Sequence, residues 1–379
     1  MVKSKNRPDI SIILPCRNEE KALPICLKQI KEVIKKNNLS AEIIVSDSST
    51  DSSPDIAKRE GVILVKHDKE GYGRAYLEGF KKAKGKYILM GDADCSYDFN
   101  EIPNFINQLE KGYDLVIGNR LEKMQKNAMT FSHRYIGNPA LSFIQRLLFG
   151  TKIRDSQSGF RAIKKEALEK LNLQTTGMEF ASEMIVKAIK HNLKIKEIPI
   201  NYYPRVGESK LRTLSDGWKH LRFMFLYSPM FLFFVPGILF FLLGAITTLL
   251  FYFGSPEIIG IKLYYHPLFI SAILLITGYQ LIIFSVFAKT YSITHLNEKS
   301  KIMERIYKYA TIERASIIGL IAIIGGIIIY LLILIKWIMS GLGSLNEIKN
   351  SIIALILITL GIQTIFSSFM LSILSIKEK

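Results

Sequence analysis

Tyr87-Ile-Leu-Met-Gly-Asp92-Ala-Asp94-Cys-Ser-Tyr-Asp98 sets four apolar residues against three carboxylates that follow at once. A short apolar run that ends in polar residues reads as a buried strand delivering side chains to a crevice. Two carboxylates at a spacing of two, placed on the tip of such a strand, suit a divalent ion with open coordination positions. Mg²⁺ or Mn²⁺ would take one or both of Asp92 and Asp94 and complete its shell with phosphate oxygens and water.

The same pattern repeats on the N-terminal side of this stretch. Ile10 to Leu14 is apolar and is ended by Pro15 and the polar set from Cys16 to Glu20, and a helical stretch then runs to about Lys36. Glu42 to Val45 leads into Ser46-Asp47-Ser-Ser-Thr-Asp51, with a helix from about Ser53. Val62 to Lys66 reads as a further strand, and Gly71 to Lys84 as a helix punctuated by glycine. Short buried strands alternating with helices imply an α/β domain with a mostly parallel, Rossmann-like sheet, whose ligands lie at the carboxyl ends of the strands. The tips at 16–20, 46–51 and 91–98 therefore converge.

Gly71-Tyr-Gly73-Arg74-Ala75 is not a dinucleotide fingerprint, because no tight strand-glycine turn precedes it. Gly73 could let backbone approach a ligand and Arg74 could meet a phosphate, or the segment could be an ordinary helical first turn. Glu179 and Glu183 stand at i and i+4 on an expected helix, where they could touch sugar hydroxyls or orient arginines; for Glu179 a structural ion pair is the other reading.

C-terminal to residue 228 the composition changes. The chain of 379 residues is 49% hydrophobic, and four long apolar runs, Met230–Phe253, Pro267–Ala288, Ala315–Ile335 and Ile352–Ile376, supply much of that. Each meets the roughly 20 residues needed to cross a bilayer core, so residues 229–379 read as four transmembrane helices after a catalytic domain over 1–228. No charged residue sits well inside a run, which argues against an ion pathway.

Charge separates in the same way, with 39 Lys+Arg against 27 Asp+Glu in residues 1–228 and 11 against 6 beyond, for a net +17. Beside a membrane half, this balance suits an anionic lipid surface or phosphorylated substrates, not nucleic acid. The connection between the second and third runs holds Lys289, Lys299, Lys301, Arg305, Lys308 and Arg314. Basic connections stay cytoplasmic, so both termini and the catalytic domain are expected on that face. The N-terminus lacks a secretory signal's apolar stretch, in agreement. Three cysteines without a CxxC pair indicate neither a disulfide framework nor a zinc site.

Taken in order, SIILPCRNEE, IIVSDSSTDSS, GYGRAYLEGFKKAKGKYILMGDADCSYD, VIGNR, DSQSGFRAI, GMEFASE and RVGESK resemble the family 2, GT-A fold glycosyltransferases, in particular their dolichyl-phosphate mannose synthase-like branch. The resemblance covers residues 10 to about 228. It implies transfer from a nucleotide-sugar donor to a polyprenyl or dolichyl phosphate. Carried over by position, it assigns Pro15, Asn18 and Glu19 to the nucleotide pocket wall, Asp47 to the base, and Asp92 and Asp94 to the metal and diphosphate. Ser96 falls near the metal, Arg120 and Arg134 match acceptor-phosphate positions, and Arg205 and Lys210 belong to a loop over the diphosphate. Arg17 and Ser46 depart from the family's usual tyrosine and aspartate, so GDP-mannose, UDP-glucose and UDP-N-acetylglucosamine all stay open.

A lipid monophosphate is largely dianionic at neutral pH and needs no general base, so holding it in line with the anomeric carbon is the main task. Direct attack inverts that carbon. Two segments, 139–149 and 211–227, mix bulky apolar and basic residues as interfacial helices do. A processive polysaccharide synthase shares the fold but would show a QxxRW helix, and the two tryptophans, Trp218 and Trp337, stand in no such motif. An inactive sugar-binding scaffold is the reading from outside enzymology.

Overall fold

The computed structural model describes residues 8–207, 213–254, 256–258, 261–295 and 311–376. The chain divides into two compact units, residues 1–227 and 228–379.

Among its described residues the first unit holds seven strands: β1 Ile10–Cys16, β2 Ala41–Asp47, β3 Ile63–Lys66, β4 Tyr87–Met90, β5 Leu115–Met124, β6 Arg161–Lys164 and β7 Ile195–Tyr202. They form one sheet in the order β3-β2-β1-β4-β6-β5-β7. β1, β2, β3 and β4 are mutually parallel, β5 is parallel to β7, and β6 alone runs antiparallel to both of its neighbours. The sheet is thus mostly parallel, as the alternating pattern implies, with one reversed strand that the pattern did not show.

Alternation along β1 supplies a core on each face. Ile12 and Leu14 point to one side, where α1 (Leu23–Lys36) adds Leu23, Leu27 and Ile30, and α4 (Ile102–Glu110) adds Phe105 and Leu109. Ile13 points to the other, against Tyr76 of α3 (Tyr72–Phe80) and Phe180, Met184 and Ile185 of α7 (Phe180–Lys190). α2 (Ser53–Arg59) and α6 (Lys165–Leu171) complete the layers. The chain leaves β1 for β2 and β3 on one side and returns to β4 on the other, so the carboxyl ends of β1 and β4 frame the crevice that such a switch in strand order creates.

Two further helices have an unusual division of faces. On α5 (Asn138–Phe149) the buried residues are Asn138, Ser142 and Gln145, whereas Phe143 and Leu147 are exposed. The turn that leads into it exposes Phe131, Tyr135 and Ile136. α8 (Thr213–Leu226) buries His220, Phe223 and Met224 and exposes Leu214, Trp218 and Leu226.

Among the described residues the second unit shows four long helices: α9 Val235–Phe253, entered by a wide helical turn over Met230–Phe234, α10 His266–His295, α11 Ile312–Met339 and α12 Ile348–Leu374. All four are long and apolar enough to span a bilayer, and most of their large side chains are exposed, as lipid-facing residues are. Small residues allow close pairing: a Cβ at Gly278 would lie 2.2 Å from the backbone nitrogen of Phe241, and one at Gly361 would lie 2.5 Å from the carbonyl of Gly319. Tyr279 Oη and Thr364 Oγ1, 2.5 Å apart, tie α10 to α12.

Candidate active site

The tips of β1 and β2 are laced together by their own polar side chains. Asn18 adopts a left-handed conformation at φ +54°, which asparagine tolerates, and its Oδ1 accepts from Thr50 N at 2.9 Å. Ser49 Oγ accepts from Asn18 N at 2.8 Å and donates to Asp47 Oδ1 at 2.6 Å, while Glu19 N donates to Ser53 Oγ at 3.0 Å. Asp47 is fully buried at the end of β2, directly across from Cys16, and Pro15 sits beside Ser46. Burial, followed by the charge of Asp47, pushes the Cys16 thiol up to about 12. It is a closed structural thiol.

The loop after β4 holds the densest charge. Asp94 Oδ1 accepts from Ser96 N at 3.0 Å and Ser96 Oγ at 2.5 Å, and Asp94 Oδ2 meets Arg205 Nη2 at 3.0 Å. The same Arg205 nitrogen lies 3.9 Å from Glu19 Oε1. Backbone bonds from Tyr203 N to Ser96 O and from Val206 N to Asp94 O, both 2.9 Å, sew this loop to the segment after β7. Sequence reading placed Asp94, Ser96, Glu19 and Arg205 in one pocket, and the structure brings all four together.

Asp92 is half-buried, and among the described residues its buried Oδ1 has no hydrogen-bond partner. Burial first, and Asp94 second, push its carboxyl up to about 7 against the opposing pull of Arg120 and Arg205. A buried carboxylate and a half-buried one with an orphaned oxygen form a donor set that a hard dication satisfies. Among the described residues no third acidic, histidine or cysteine ligand joins them, so phosphate oxygens and water would have to fill the other positions.

Beneath Asp92 lies a set of residues that sequence reading missed. A side chain on Gly159 would strike Tyr72 Oη at 2.5 Å, Asp92 Oδ2 at 3.1 Å and Tyr97 Oη at 3.2 Å, so only glycine admits this convergence. Gly159 N donates to Tyr97 Oη at 2.8 Å. Arg161 is 1% exposed and gives its guanidinium to three carbonyls, Ser158 at 2.7 Å, Ala181 at 2.7 Å and Ser156 at 2.9 Å. It fastens the 155–159 loop to the start of α7.

Arg120, near the middle of β5, is buried and forked onto Asp155: Nε to Oδ2 and Nη2 to Oδ1, both 2.8 Å, with Arg120 N to Oδ2 at 3.0 Å. Tyr202 lies under the guanidinium at 5.3 Å. Asp155 holds this arginine firmly charged despite the penalty of burial. Arg134 is placed differently, half-exposed on the turn before α5 and 5.2 Å over the ring of Tyr135. Among the described residues no hydrogen bond or ion pair joins Arg134 to Arg120, Asp92 or Asp94.

Three further candidate residues make their contacts within the protein. Glu183 does not face a sugar: it is fully buried, accepting from Gln174 N at 2.9 Å, Thr175 N at 2.8 Å and Thr175 Oγ1 at 2.5 Å, with Lys187 at 2.7 Å. It closes the loop before α7 because those amides would otherwise be unpaired. The close approach at Gly73 is to protein, since a Cβ there would lie 2.3 Å from the carbonyl of Thr175. Arg74 is 3.8 Å from Glu78 on its own helix. Glu179 stands at the N-cap position of α7 without a side-chain capping bond, and its buried Oε2 lacks a hydrogen-bond partner among the described residues. Lys210 lies outside the described residues.

Residues 11–172 match the family model described as glycosyl transferase family 2, and residues 286–375 match that of the glycosyltransferase family 2 C-terminal transmembrane region. The low-salt glycan biosynthesis hexosyltransferase Agl6 of Haloferax volcanii is 35% identical over 366 residues, covering 96% of this chain and 88% of the relative. A dolichyl-phosphate hexose transferase of the same organism is 27% identical over 210 residues, 55% of this chain and 89% of the relative. Among solved structures, glucosyl-3-phosphoglycerate synthase from Mycobacterium tuberculosis in complex with Mn²⁺, UDP and glucosyl-3-phosphoglycerate is similar at 18% identity, with a TM-score of 0.49 over 58% of this chain and 80% of that one. With a relative this similar along nearly its whole length, the chain is a multi-pass membrane protein that belongs to glycosyltransferase family 2 and carries the GT-A fold.

Proposed function

We propose that this glycosyltransferase moves a hexosyl group from a nucleotide sugar to a polyprenyl or dolichyl phosphate in the adjoining leaflet, with inversion. The observation that carries the reading is Arg120. It is a buried guanidinium whose charge is fixed by Asp155 and whose field reaches Asp92, in the unit whose α5 turns its apolar side outward. A cation in that position, whose charge is felt at Asp92, suits a second anion beside the donor's diphosphate. The likeness to a dolichyl-phosphate hexose transferase supports the same acceptor class.

On the donor side Asp92, Asp94 and Ser96 would hold Mg²⁺ or Mn²⁺, which when bound neutralises charge on the leaving diphosphate. Arg205, already on Asp94, adds positive charge beside that group, and the Asn18–Ser49–Asp47 lacing keeps the nucleotide wall rigid. On the acceptor side Arg120 orients the lipid phosphate, with Arg134 nearer the surface. One phosphate oxygen bonds to the anomeric carbon as the bond from that carbon to the diphosphate oxygen breaks, and the electron pair departs with the nucleoside diphosphate. No proton has to be removed, since the attacking oxygen is already ionised.

The lipid reaches the site along an interface. Phe131, Tyr135, Ile136, Phe143 and Leu147, with Leu214 and Trp218 of α8, form the apolar surface that dips into the leaflet, and Arg134 and Lys219 sit at headgroup level. The basic connection from Lys289 to Arg314 puts that leaflet on the cytoplasmic side, together with both termini. The direct test uses purified full-length protein with Mg²⁺ or Mn²⁺, a short polyprenyl phosphate and a panel of labelled nucleotide sugars. Lipid-linked phosphosugar is the expected product, and transfer only to soluble glycans overturns the acceptor assignment.

A further inference from the structure

At the end of the four-helix bundle where α9 and α11 finish and α10 and α12 begin, remote from where the chain enters at residue 228, lies a cavity of about 460 Å³. This is within the roughly 300–1,000 Å³ of small-molecule sites. Its wall is unlike the helices below it. Tyr252, Tyr264, Tyr265, Asn346, Lys349 and Asn350 line it, joined by Glu347.

The polar groups are ordered. Tyr252 Oη donates to Asn350 Oδ1 at 2.9 Å, and Lys349 Nζ donates to the carbonyls of Tyr252 and Gly254, both at 3.1 Å. Glu347 is neutralised by Lys336 at 2.9 Å and is also held by Asn350. Among the described residues, no carboxylate lies within ion-pair distance of Lys349. The cavity therefore presents one uncompensated positive charge, a set of phenol rings and two amides, at the ends of helices long and apolar enough to span a bilayer.

Each feature selects for the same ligand. One positive charge matches a phosphodiester, which carries a single negative charge, better than a phosphomonoester near −2. Tyrosine rings and asparagine amides recognise sugar faces and hydroxyls, and the apolar helices below would take a lipid tail. We infer that this cavity is a second lipid site, binding the phosphohexosyl head of a glycosylated polyprenyl phosphate at the end of the bundle remote from residue 228. This rests on the acceptor and orientation proposed above. The site would hold the product class after it has crossed the membrane, where a reaction that consumes lipid-linked phosphosugars as donors must follow.

The test uses full-length protein in nanodiscs and a diazirine-bearing phosphohexosyl polyprenol, with cross-linked peptides identified by mass spectrometry. Labelling of peptides containing Tyr252–Tyr265 and Asn346–Asn350 is expected. Excess phosphohexosyl lipid should compete it away, whereas phosphatidylglycerol and hexose 1-phosphate should not. Lys349→Gln should reduce labelling at least tenfold. Because that lysine also binds two carbonyls, Asn346→Ala, at an exposed position, serves as the second variant and should weaken labelling several-fold. Transfer activity should persist in both. Equal competition by phosphatidylglycerol would show an ordinary lipid boundary, equal competition by hexose 1-phosphate a soluble ligand, and absence of labelling no site; each overturns the inference. Failure of the acceptor reading registers separately, as no transfer to polyprenyl phosphate.

Discussion

Replacing Asp155 by asparagine removes the charge that Arg120 faces while nearly preserving shape. Asp155 accepts three bonds from Arg120, at 3.0, 2.8 and 2.8 Å, and neither side chain reaches 10% exposure. Removing one partner of such a buried pair costs about 3–5 kcal/mol, because the other charge is left uncompensated. In a unit of this size each kcal/mol lowers Tm by about 2–4 °C, so a fall of roughly 6–20 °C is expected. The unit contains Trp218, whereas Trp337 belongs to the membrane bundle, so intrinsic fluorescence in a Trp337→Phe background follows the unit alone. The double variant Arg120→Met/Asp155→Leu separates stability from function. It abolishes both charges and leaves mainly the Arg120 backbone N–H unpaired, for about 1–3 kcal/mol. It should therefore melt above Asp155→Asn and yet stay inactive on lipid phosphate. A double variant as unstable as the single one, or an Asp155→Asn protein with unchanged Tm and kcat/KM, would refute the reasoning.

Arg120→Ala should lower kcat/KM for the lipid phosphate about 10- to 150-fold, from the roughly 1.5–3 kcal/mol of a charge-assisted contact, without weakening nucleotide-sugar binding; calorimetry with the donor and steady-state kinetics separate the two. Asp94→Asn should abolish transfer in protein that still inserts and binds detergent normally, and wild-type turnover in excess EDTA would contradict the metal assignment. Cysteines introduced near Ile259 and near Glu298 should label from outside intact cells at the first position only. His220, buried on α8 with Ser182 Oγ 2.8 Å from its Nδ1, is depressed to about 4 by burial. The unfolded chain takes up that proton near pH 6.5, so the unit should lose up to about 1.4 kcal/mol per pH unit between about 6.5 and 4, and His220→Phe should flatten the chemical-denaturation profile there.

The strand tips were legible because apolar runs that end in Asp47, Asp92 or Asn18 announce both burial and polarity locally. The membrane spans were legible for the same reason, as length and lack of charge are local properties. β6 was not, since Arg161–Lys164 is four residues inside a motif, and its reversed direction depends on partners far along the chain. Arg161 and Asp155 escaped notice because an arginine in a sequence reads as surface charge until three carbonyls or a buried carboxylate are seen around it. Glu183 misled for the converse reason. Its spacing from Glu179 is the same whether it points to a ligand or back to its own loop.

The inverted partition of α5, with Ser142 and Gln145 inside and Phe143 and Leu147 outside, also bears on handling the protein. A fragment ending near residue 227 would present Phe131, Tyr135, Ile136, Phe143 and Leu147 to water as one contiguous oily stripe. Patches of that kind drive self-association in proportion to concentration. Such a fragment should be expressed with a mild detergent from lysis onward, or with Phe143 and Leu147 changed to polar residues. The two routes should give the same monodisperse species on size exclusion, because both address colloidal behaviour and leave the packed polar face untouched.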